Sequence, residues 1–140
     1  MQDPQWFRAE GSISRDGCRV PMPWTSEGSS YGFGPGGAHL PQPDWFKNEN
    51  VEVQNRNEGS SLNLYRLALA LRKQLQTEES LTWIKHFGGK VLHFRRPNGW
   101  ECFTNFSDKP VKAPQGRVIL ATNKSVNGKV PANTTVWLQR

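Results

Sequence analysis

The sequence of 140 residues lacks the features that mark membrane, disulfide-rich and nucleic-acid-binding proteins. No apolar run approaches the roughly 20 residues that a membrane-spanning helix needs, and the N-terminal residues are too polar for a secretory signal. The two cysteines, Cys18 and Cys102, lie far apart without CxxC spacing, so neither a disulfide nor a zinc site is expected. The net charge is +6, but the basic residues are scattered singly or in pairs, which argues against nucleic-acid binding. We therefore expect a cytoplasmic protein with no metal, no cofactor, and no membrane or nucleic-acid partner.

The chain also has little apolar sequence from which to build a core. Hydrophobic residues make up 35% of it and its mean hydropathy is −0.71, which is low for a self-sufficient domain but not low enough for full disorder. Residues 1–58 hold six of the ten prolines and seven of the thirteen glycines, and no helical or alternating period persists there. We interpret them as a long loop whose large aromatic side chains lie on a surface from elsewhere, because no local element can bury them. These aromatic residues are Trp6, Phe7, Trp24, Tyr31, Phe33, Trp45 and Phe46.

A helix and a series of short strands follow the loop. Over residues 60–76 apolar residues recur at helical spacing, and Ser60 or Ser61 can cap the helix. From about residue 80 the period changes to two, and turn formers separate the apolar runs. The pattern predicts an α+β chain in which the long loop and one helix precede a small antiparallel β-sandwich. The helical stripe is Leu64, Leu67, Ala68, Leu71 and Leu75, and the predicted strands are Leu81–Phe87, Val91–Arg95, Trp100–Phe106, Val118–Ala121 and Thr135–Leu138.

The stretch Ser14–Trp24 is the strongest candidate for function. It places the guanidinium groups of Arg15 and Arg19 near the carboxylate of Asp16, and its two prolines limit how far the loop can move. Arginine offers donors in a planar fork that can clamp a carboxylate or two neighbouring sugar hydroxyls. The plainer alternative is an ordinary ion pair of a surface loop, which contributes little.

Other residue types that often carry chemistry are interpreted as structural. His39, His86 and His93 lie far apart in sequence, and a histidine near apolar residues more often packs than binds a ligand, so they are assigned no catalytic role. Cys18 is expected to be a buried thiol rather than a reactive one. Trp100 and Trp137 alternate with apolar neighbours and are expected in the sandwich core, although an exposed tryptophan could stack on a sugar ring.

The motifs SRDGCRVPMPW, YGFGPGGAHLPQP, NVEVQ, SSLNLYRLALALRKQ, CFTNFS and TTVWLQR follow one another along nearly the whole chain. Their order resembles the C-terminal part of α-glucosidases and oligo-1,6-glucosidases of the α-amylase superfamily of glycoside hydrolases. A complete (β/α)8 barrel needs roughly 250 residues, so the resemblance implies a missing N-terminal barrel. It implies that residues 1–78 are the end of the catalytic barrel, with the loop after strand eight at 1–58 and the last barrel helix at 60–76. Residues 79–140 would be the C-terminal antiparallel β domain.

The resemblance also implies a function and roles for three residues. The full-length enzyme would be a retaining α-glucosidase that hydrolyses terminal α-glucosidic bonds of malto- or isomalto-oligosaccharides. Arg19 would help to hold the non-reducing glucose, Arg15 is the alternative for that role or faces the aglycone side, and Asp16 would orient one of these arginines. The family motifs that carry the catalytic carboxylates do not occur in this sequence, so we assign no catalytic residue and expect the 140-residue chain to be inactive alone.

Two questions stay open at this point. The residues that choose the glycosidic linkage, or hydrolysis over transglycosylation, mostly lie in upstream loops of the family. A stand-alone carbohydrate-binding or interaction module without catalysis is the alternative to the glucosidase interpretation.

Overall fold

The computed structural model describes residues 15–86, 88–123 and 128–140. The chain forms two compact units, one ending at Asn63 and the other beginning at Leu64. We call residues 15–63 the loop unit and the described residues from 64 to 140 the sheet unit. Trp6 and Phe7, which the sequence analysis counted among the aromatic residues of the loop, lie outside the described residues. In the described ranges, no helix is long and apolar enough to cross a membrane.

The loop unit contains more local structure than a long loop implies. Three short 3-10 turns precede a six-residue helix, α1 (Val51–Arg56). Asn50 caps α1, because its side-chain oxygen accepts a hydrogen bond from the Val53 N–H at 3.0 Å. A helix this short leaves no hydrophobic period in the sequence, so the pattern did not indicate it. The 3-10 turns are Asp16–Cys18, Ser29–Gly32 and Asp44–Lys47.

The second 3-10 turn has a strained backbone. Ser30 and Tyr31 have φ values of 50° and 49°, in the left-handed region that residues with a side chain seldom occupy. Gly32 follows at a φ of 76°, and a Cβ there would lie 2.5 Å from Thr25 Oγ1, so glycine is required. The Tyr31 carbonyl accepts from the N–H groups of Trp24 and Thr25 at 2.7 and 3.0 Å, which holds the turn in place.

The second helix, α2 (Ser61–Gln74), confirms the helix predicted from the leucine stripe. Ser60 is its N-cap, since Ser60 Oγ accepts from the Asn63 N–H at 3.2 Å. None of the 14 residues of α2 is buried, and Leu67 and Leu69 are 49% and 60% exposed. Much of the apolar surface of this helix is therefore uncovered. The domain boundary after residue 78 that the resemblance implies stays a prediction.

The sheet unit contains seven strands in two antiparallel sheets. Five strands form one sheet in the order β1-β2-β3-β7-β5, and β4 pairs with β6. The longer predicted strands are confirmed, whereas the first is reduced to two residues and Phe87 lies outside the described residues. Strands β4 and β6 were not predicted because two residues cannot show an alternation. The strands are β1 (Thr82–Trp83), β2 (Val91–Arg95), β3 (Trp100–Asn105), β4 (Val111–Lys112), β5 (Arg117–Ala121), β6 (Lys129–Val130) and β7 (Thr134–Gln139).

The sandwich core lies between the two sheets. Phe103, Val130, Val136 and Leu138 are fully buried and pack as one cluster. Val130 belongs to β6 and the other three belong to the large sheet, and Val111 of β4 packs against the same cluster. The small sheet therefore covers one face of the large one. The predicted α+β chain with a small antiparallel sandwich is confirmed.

A buried amide joins the end of β3 to the segment around β6. Asn105 has no exposed surface, and its Nδ2 donates to three carbonyl groups. Its Oδ1 accepts from the N–H and the hydroxyl of Ser107 at 2.9 and 2.6 Å. Both ends of the amide are therefore satisfied inside the fold. The three carbonyls are those of Lys109, Val130 and Pro131, at 2.8, 3.1 and 2.9 Å.

Trp100 is buried as predicted, but Trp100 and Trp137 lie on the face of the large sheet opposite the Phe103 cluster rather than within that cluster. Trp100 is three residues from Phe103 on the same strand, which places the two side chains on opposite faces. The ring centroids of the two tryptophans are 5.0 Å apart. Trp100 Nε1 also donates to the Leu75 carbonyl at 3.2 Å, directly after α2.

Candidate functional site

The segment from Arg15 to Arg19 forms a single 3-10 turn. The Cys18 N–H donates to the Arg15 carbonyl at 3.1 Å, and the Arg19 N–H donates to the Asp16 carbonyl at 3.0 Å. Side chains three residues apart are aligned in such a turn. Arg19 Nη1 and Asp16 Oδ1 accordingly lie 3.9 Å apart. The turn therefore brings together two of the three residues that the sequence analysis selected, with Arg15 at its start.

The three side chains differ in exposure and so in what they can contact. The Arg19 side chain is 43% exposed and that of Asp16 is 16% exposed, while Arg15 is an exposed residue. A guanidinium keeps its charge at all relevant pH values and carries five N–H donors in a fixed fork. Arg19 can therefore bind ligand hydroxyls from its exposed side. Asp16, which is less exposed, is suited to orienting Arg19.

Cys18 is exposed, so the prediction of a buried thiol is wrong. Its Sγ donates to the Arg15 carbonyl at 2.9 Å, which keeps the side chain on its own turn. Cys102 on β3 is buried, and burial raises the pKa of its thiol. Cys102 therefore stays protonated at neutral pH, as an unreactive part of the sheet.

The segment Pro21–Trp24, which we call the proline segment, follows Arg19 closely and is fixed through its carbonyl groups. Gln42 Nε2 donates to the first carbonyl of the segment at 3.1 Å. The N–H groups of Val51 and Glu52 donate to its third and fourth carbonyls at 3.3 and 3.0 Å. The first N–H groups of a helix have no partner within the helix, so those of α1 are available for this contact. Since proline has no N–H, two of the four residues offer only a carbonyl.

Asn50 connects α1 to the rest of the loop unit. It is 1% exposed, and its Oδ1 accepts from the Val53 N–H at 3.0 Å. Its Nδ2 donates to the carbonyls of Phe46 and Lys47 at 3.0 and 2.9 Å, and to Ser26 Oγ at 3.2 Å. A single buried amide therefore sets the position of the N-terminus of α1 relative to the preceding turn.

The sheet unit contains a charged cluster that the sequence analysis missed. Glu101 on β3 has no exposed surface, and its Oε2 lies 2.8 Å from His93 Nε2. Its Oε1 accepts from Arg95 Nε at 2.7 Å and lies 2.9 Å from Arg140 Nε. His93 Nδ1 in turn lies 2.8 Å from His86 Nε2. We call these five residues the Glu101 cluster.

Burial and neighbouring charges set the protonation of the Glu101 cluster. Burial alone would raise the pKa of Glu101, but hydrogen bonds from Arg95 and His93 and the charge of Arg140 hold this pKa below its ordinary value. Burial lowers the pKa of His93, and this effect exceeds the opposing influence of Glu101. At neutral pH, Glu101 is therefore an anion and His93 is neutral. Because a neutral His93 that donates from Nε2 must accept at Nδ1, His86 donates to it.

Strand pairing explains why sequence separation concealed this cluster. His93 and Arg95 alternate onto the same face of β2, and the antiparallel register places Glu101 opposite Arg95. That alternation was the available signal, but a single histidine near apolar residues indicates packing and does not reveal its strand partners. Within residues 15–86, 88–123 and 128–140, no three or more His, Cys, Asp or Glu side chains are arranged to hold a metal ion.

Comparison with known proteins identifies the family. The family model for the alpha-amylase catalytic domain matches residues 1–80, which is more than half of the chain. The chain belongs to the alpha-amylase family. The loop unit, with the Arg15–Arg19 turn, lies within the part of the chain that matches the family's catalytic domain.

Several members of the alpha-amylase family are similar to the chain. The alpha-glucosidase MAL32 of Saccharomyces cerevisiae is 38% identical over 76 residues, which are 49% of this chain and 12% of that protein. The salivary alpha-glucosidase of Aedes aegypti is 36% identical over 100 residues, or 67% of this chain and 17% of that protein. The chain therefore spans less than a fifth of the length of these curated relatives.

Solved structures of the family share the fold. The alpha-glucosyl transfer enzyme XgtA matches 89% of this chain with a TM-score of 0.65 and 28% identity, over 26% of its own chain. The trehalose-6-phosphate hydrolase of Bacillus licheniformis matches 97% with a TM-score of 0.70 and 20% identity, over 28% of its own chain. The loop, helix and sandwich thus occur together as one part of larger proteins.

Proposed function

We propose that these 140 residues are the C-terminal part of a retaining α-glucosidase that hydrolyses terminal α-glucosidic bonds of malto- or isomalto-oligosaccharides. The segment supplies an active-site loop, the last barrel helix and the C-terminal β domain. Retaining glycosidases need two carboxyl groups about 5–5.5 Å apart, and the family motifs for these groups do not occur in this sequence. In this proposal the catalytic carboxylates belong to a barrel that lies N-terminal to the segment. The family match over residues 1–80 is the observation that carries the proposal.

The geometry of the Arg15–Arg19 turn supports a role in substrate binding. A pocket that accepts only a terminal glucose must recognise its hydroxyls, and a fixed guanidinium supplies two parallel donors for that purpose. Arg19 is accessible and is backed by Asp16 at 3.9 Å. We assign Arg19 to the non-reducing glucose and Asp16 to its orientation, and Arg15 is the alternative arginine or faces the aglycone side.

Uncovered apolar surface also supports a barrel as the missing partner. In the loop unit, Trp24, Phe33 and Trp45 are 46%, 58% and 58% exposed. Leu67, in the leucine stripe of α2, is 49% exposed. Burial of large aromatic and aliphatic side chains stabilises a protein most, so this much exposed apolar surface is unusual for a chain that acts alone. The β domain, by contrast, has its own buried cluster.

The activity itself is tested by comparing two proteins on 4-nitrophenyl α-glucoside. We expect the complete protein, barrel included, to hydrolyse this substrate with retention of configuration, which NMR of the first-formed glucose anomer reports. We expect the 140-residue chain to be inactive at equal concentration. Turnover by the 140-residue chain, or no turnover by the complete protein on α-glucosides, would contradict the proposal.

The role of Arg19 is tested by Arg19→Ala in the complete protein. We expect kcat/KM to fall at least about tenfold, equivalent to roughly 1.4 kcal/mol of transition-state binding, because the hydroxyls of the terminal glucose lose their donors. Arg56→Ala is the matched control, since Arg56 lies in the same unit and pairs only with Glu52 on its own helix among the contacts described. If kcat/KM is the same for Arg19→Ala and Arg56→Ala, Arg19 does not bind the substrate.

A stand-alone carbohydrate-binding module is the second candidate, in which the exposed aromatic side chains of the loop unit form the sugar-binding surface instead of packing on a barrel. An indole face can stack on a sugar ring without any catalytic group. Titration of the 140-residue chain with maltose separates the two candidates. Binding at millimolar concentration or tighter, lost on Trp45→Ala and kept on Trp83→Ala in the sheet unit, would favour the module over the glucosidase segment.

A further inference from the structure

We propose that Gln42 and Asn50 are positioning residues that fix the proline segment and, through it, the guanidinium of Arg19. Neither residue belongs to the Arg15–Arg19 turn. The enzymatic consequence rests on the proposed function, whereas the positioning itself can be measured without any activity.

Gln42 holds the proline segment directly. Its side-chain amide has two N–H donors, and one nitrogen reaches both the Pro21 carbonyl at 3.1 Å and the Ser30 carbonyl at 3.2 Å. Pro21 lies two residues after Arg19, while Ser30 lies in the strained 3-10 turn. Gln42 therefore bridges the strained turn to the start of the proline segment. Since Pro21 has no N–H, its carbonyl is its only backbone hydrogen-bonding group.

Asn50 holds the other end of the proline segment through α1. Two N–H groups of the first turn of α1, those of Val51 and Glu52, donate to the last two carbonyls of the segment. Their direction depends on where α1 begins, and Asn50 sets that point with one accepted and three donated hydrogen bonds. A displacement of the α1 N-terminus would therefore displace the proline segment as well.

The loop unit has few buried apolar side chains to hold this geometry, although the rings of Tyr31 and Phe46 contact each other with centroids 6.1 Å apart. Among its described residues, Leu40, at 7% exposure, and Pro23 are the only buried apolar side chains. The buried polar side chains there include Asn50 and Ser60. With so few buried apolar side chains in the loop unit, we expect the proline segment to depend chiefly on directional hydrogen bonds. A displacement of about 1 Å in a substrate-binding group can cost up to about a hundredfold in rate.

Two near-isosteric substitutions, made in the complete protein, test this dependence. Gln42→Glu replaces the donating nitrogen by a carboxylate oxygen that faces two carbonyls. Asn50→Asp does the same at Nδ2 but keeps the oxygen that caps α1, and aspartate is as good an N-cap as asparagine. A defect in Asn50→Asp therefore reports the loss of the donated bonds rather than the loss of the cap. Gln74→Glu at the exposed end of α2 is the control for the added charge.

Amide hydrogen exchange measures the positioning. In both variants we expect exchange to accelerate at least about tenfold in peptides that contain Trp24, Thr25, Val51 and Glu52, whose N–H groups make the affected contacts. We expect peptides of β3 and β7 to be unchanged, and Gln74→Glu to match the wild type. Unchanged exchange at the four N–H groups, or equal acceleration in β3 and β7, would overturn the proposal.

A double-mutant cycle measures whether the two residues act through Arg19. We expect Gln42→Glu to lower kcat/KM about tenfold in the wild-type background and less than about twofold in the Arg19→Ala background, because the group it positions is then absent. If the loss of kcat/KM in the double variant equals the product of the losses in the two single variants, the link to Arg19 is overturned. If Arg19→Ala alone leaves kcat/KM unchanged, the proposed role of Arg19 fails, while the exchange experiment still decides the positioning.

Discussion

Different interactions stabilise the loop unit and the sheet unit internally. In the loop unit, side-chain amides and helix N–H groups donate to backbone carbonyls, and only Leu40 and Pro23 are buried apolar side chains among the described residues. In the sheet unit, four fully buried apolar side chains form a cluster between two sheets. Directional bonds fix where a loop lies, whereas apolar burial supplies most of the free energy of folding. The unit that contains the candidate binding residues is therefore the one that depends more on directional hydrogen bonds.

The largest effect expected from this difference is at the centre of the sandwich. Phe103→Ala should lower the free energy of unfolding by about 3–5 kcal/mol, because it leaves a cavity in the apolar cluster. Urea unfolding of the 140-residue chain, followed by far-ultraviolet circular dichroism, measures it. Phe106→Ala is the matched control, since Phe106 is 60% exposed. Equal losses for the two variants would mean that the cluster does not stabilise the sheet unit as described.

The next effect concerns the one fully buried charge of the Glu101 cluster. Glu101→Gln keeps the volume but removes the charge that Arg95, Arg140 and His93 contact, so a loss of about 1.5–3 kcal/mol is expected. The same urea experiment applies, with the exposed Glu79→Gln as control. A loss below about 0.5 kcal/mol would show that polar contacts matter less in the sheet unit than the geometry indicates.

The smallest effect is the dependence of stability on pH. The folded pKa of His93 is lowered from its ordinary value of 6.5, so the unfolded chain takes up this proton first as the pH falls below 6.5. Stability should therefore decrease there, by at most about 1.4 kcal/mol per pH unit, until the folded pKa is reached. Glu101, whose pKa is lowered from 4.5, adds a second decrease at lower pH.

His93→Gln separates these two pH windows. It should flatten the decrease that begins below pH 6.5 and leave the decrease below pH 4.5 in place. Urea midpoints measured from pH 7.5 down to about pH 3 report both. An unchanged slope between pH 6.5 and pH 5 in the variant would assign the upper window to another group.

The sequence predicted those elements that are long enough to carry a period. The stripe of α2 and its cap at Ser60 could be predicted, as could the strands of five or six residues. The helix α1 and the two-residue strands β4 and β6 could not, because their positions depend on contacts with distant segments. Asn50 caps a helix that has no sequence signal of its own, so the role of Asn50 could not be predicted from the sequence.

The candidate site was predictable only in part. The Arg15–Arg19 turn was selected from local composition, and the 3-10 geometry does bring Asp16 and Arg19 together. Gln42 and Asn50 were not selected, because a glutamine or asparagine in a loop has many ordinary partners. The Glu101 cluster was missed because its members lie on paired strands, and register is a property of two segments rather than one.

The buried amide of Asn105 also limits how this chain can be modified. Asn105, Phe106 and Ser107 form the tripeptide to which cells attach N-linked glycans. The nitrogen that would carry the sugar is the one that three backbone carbonyls already hold, and the residue has no exposed surface. A folded sandwich therefore excludes a glycan at this tripeptide. By contrast, Asn133, which begins the tripeptide with Thr134 and Thr135, is exposed at a turn just before β7.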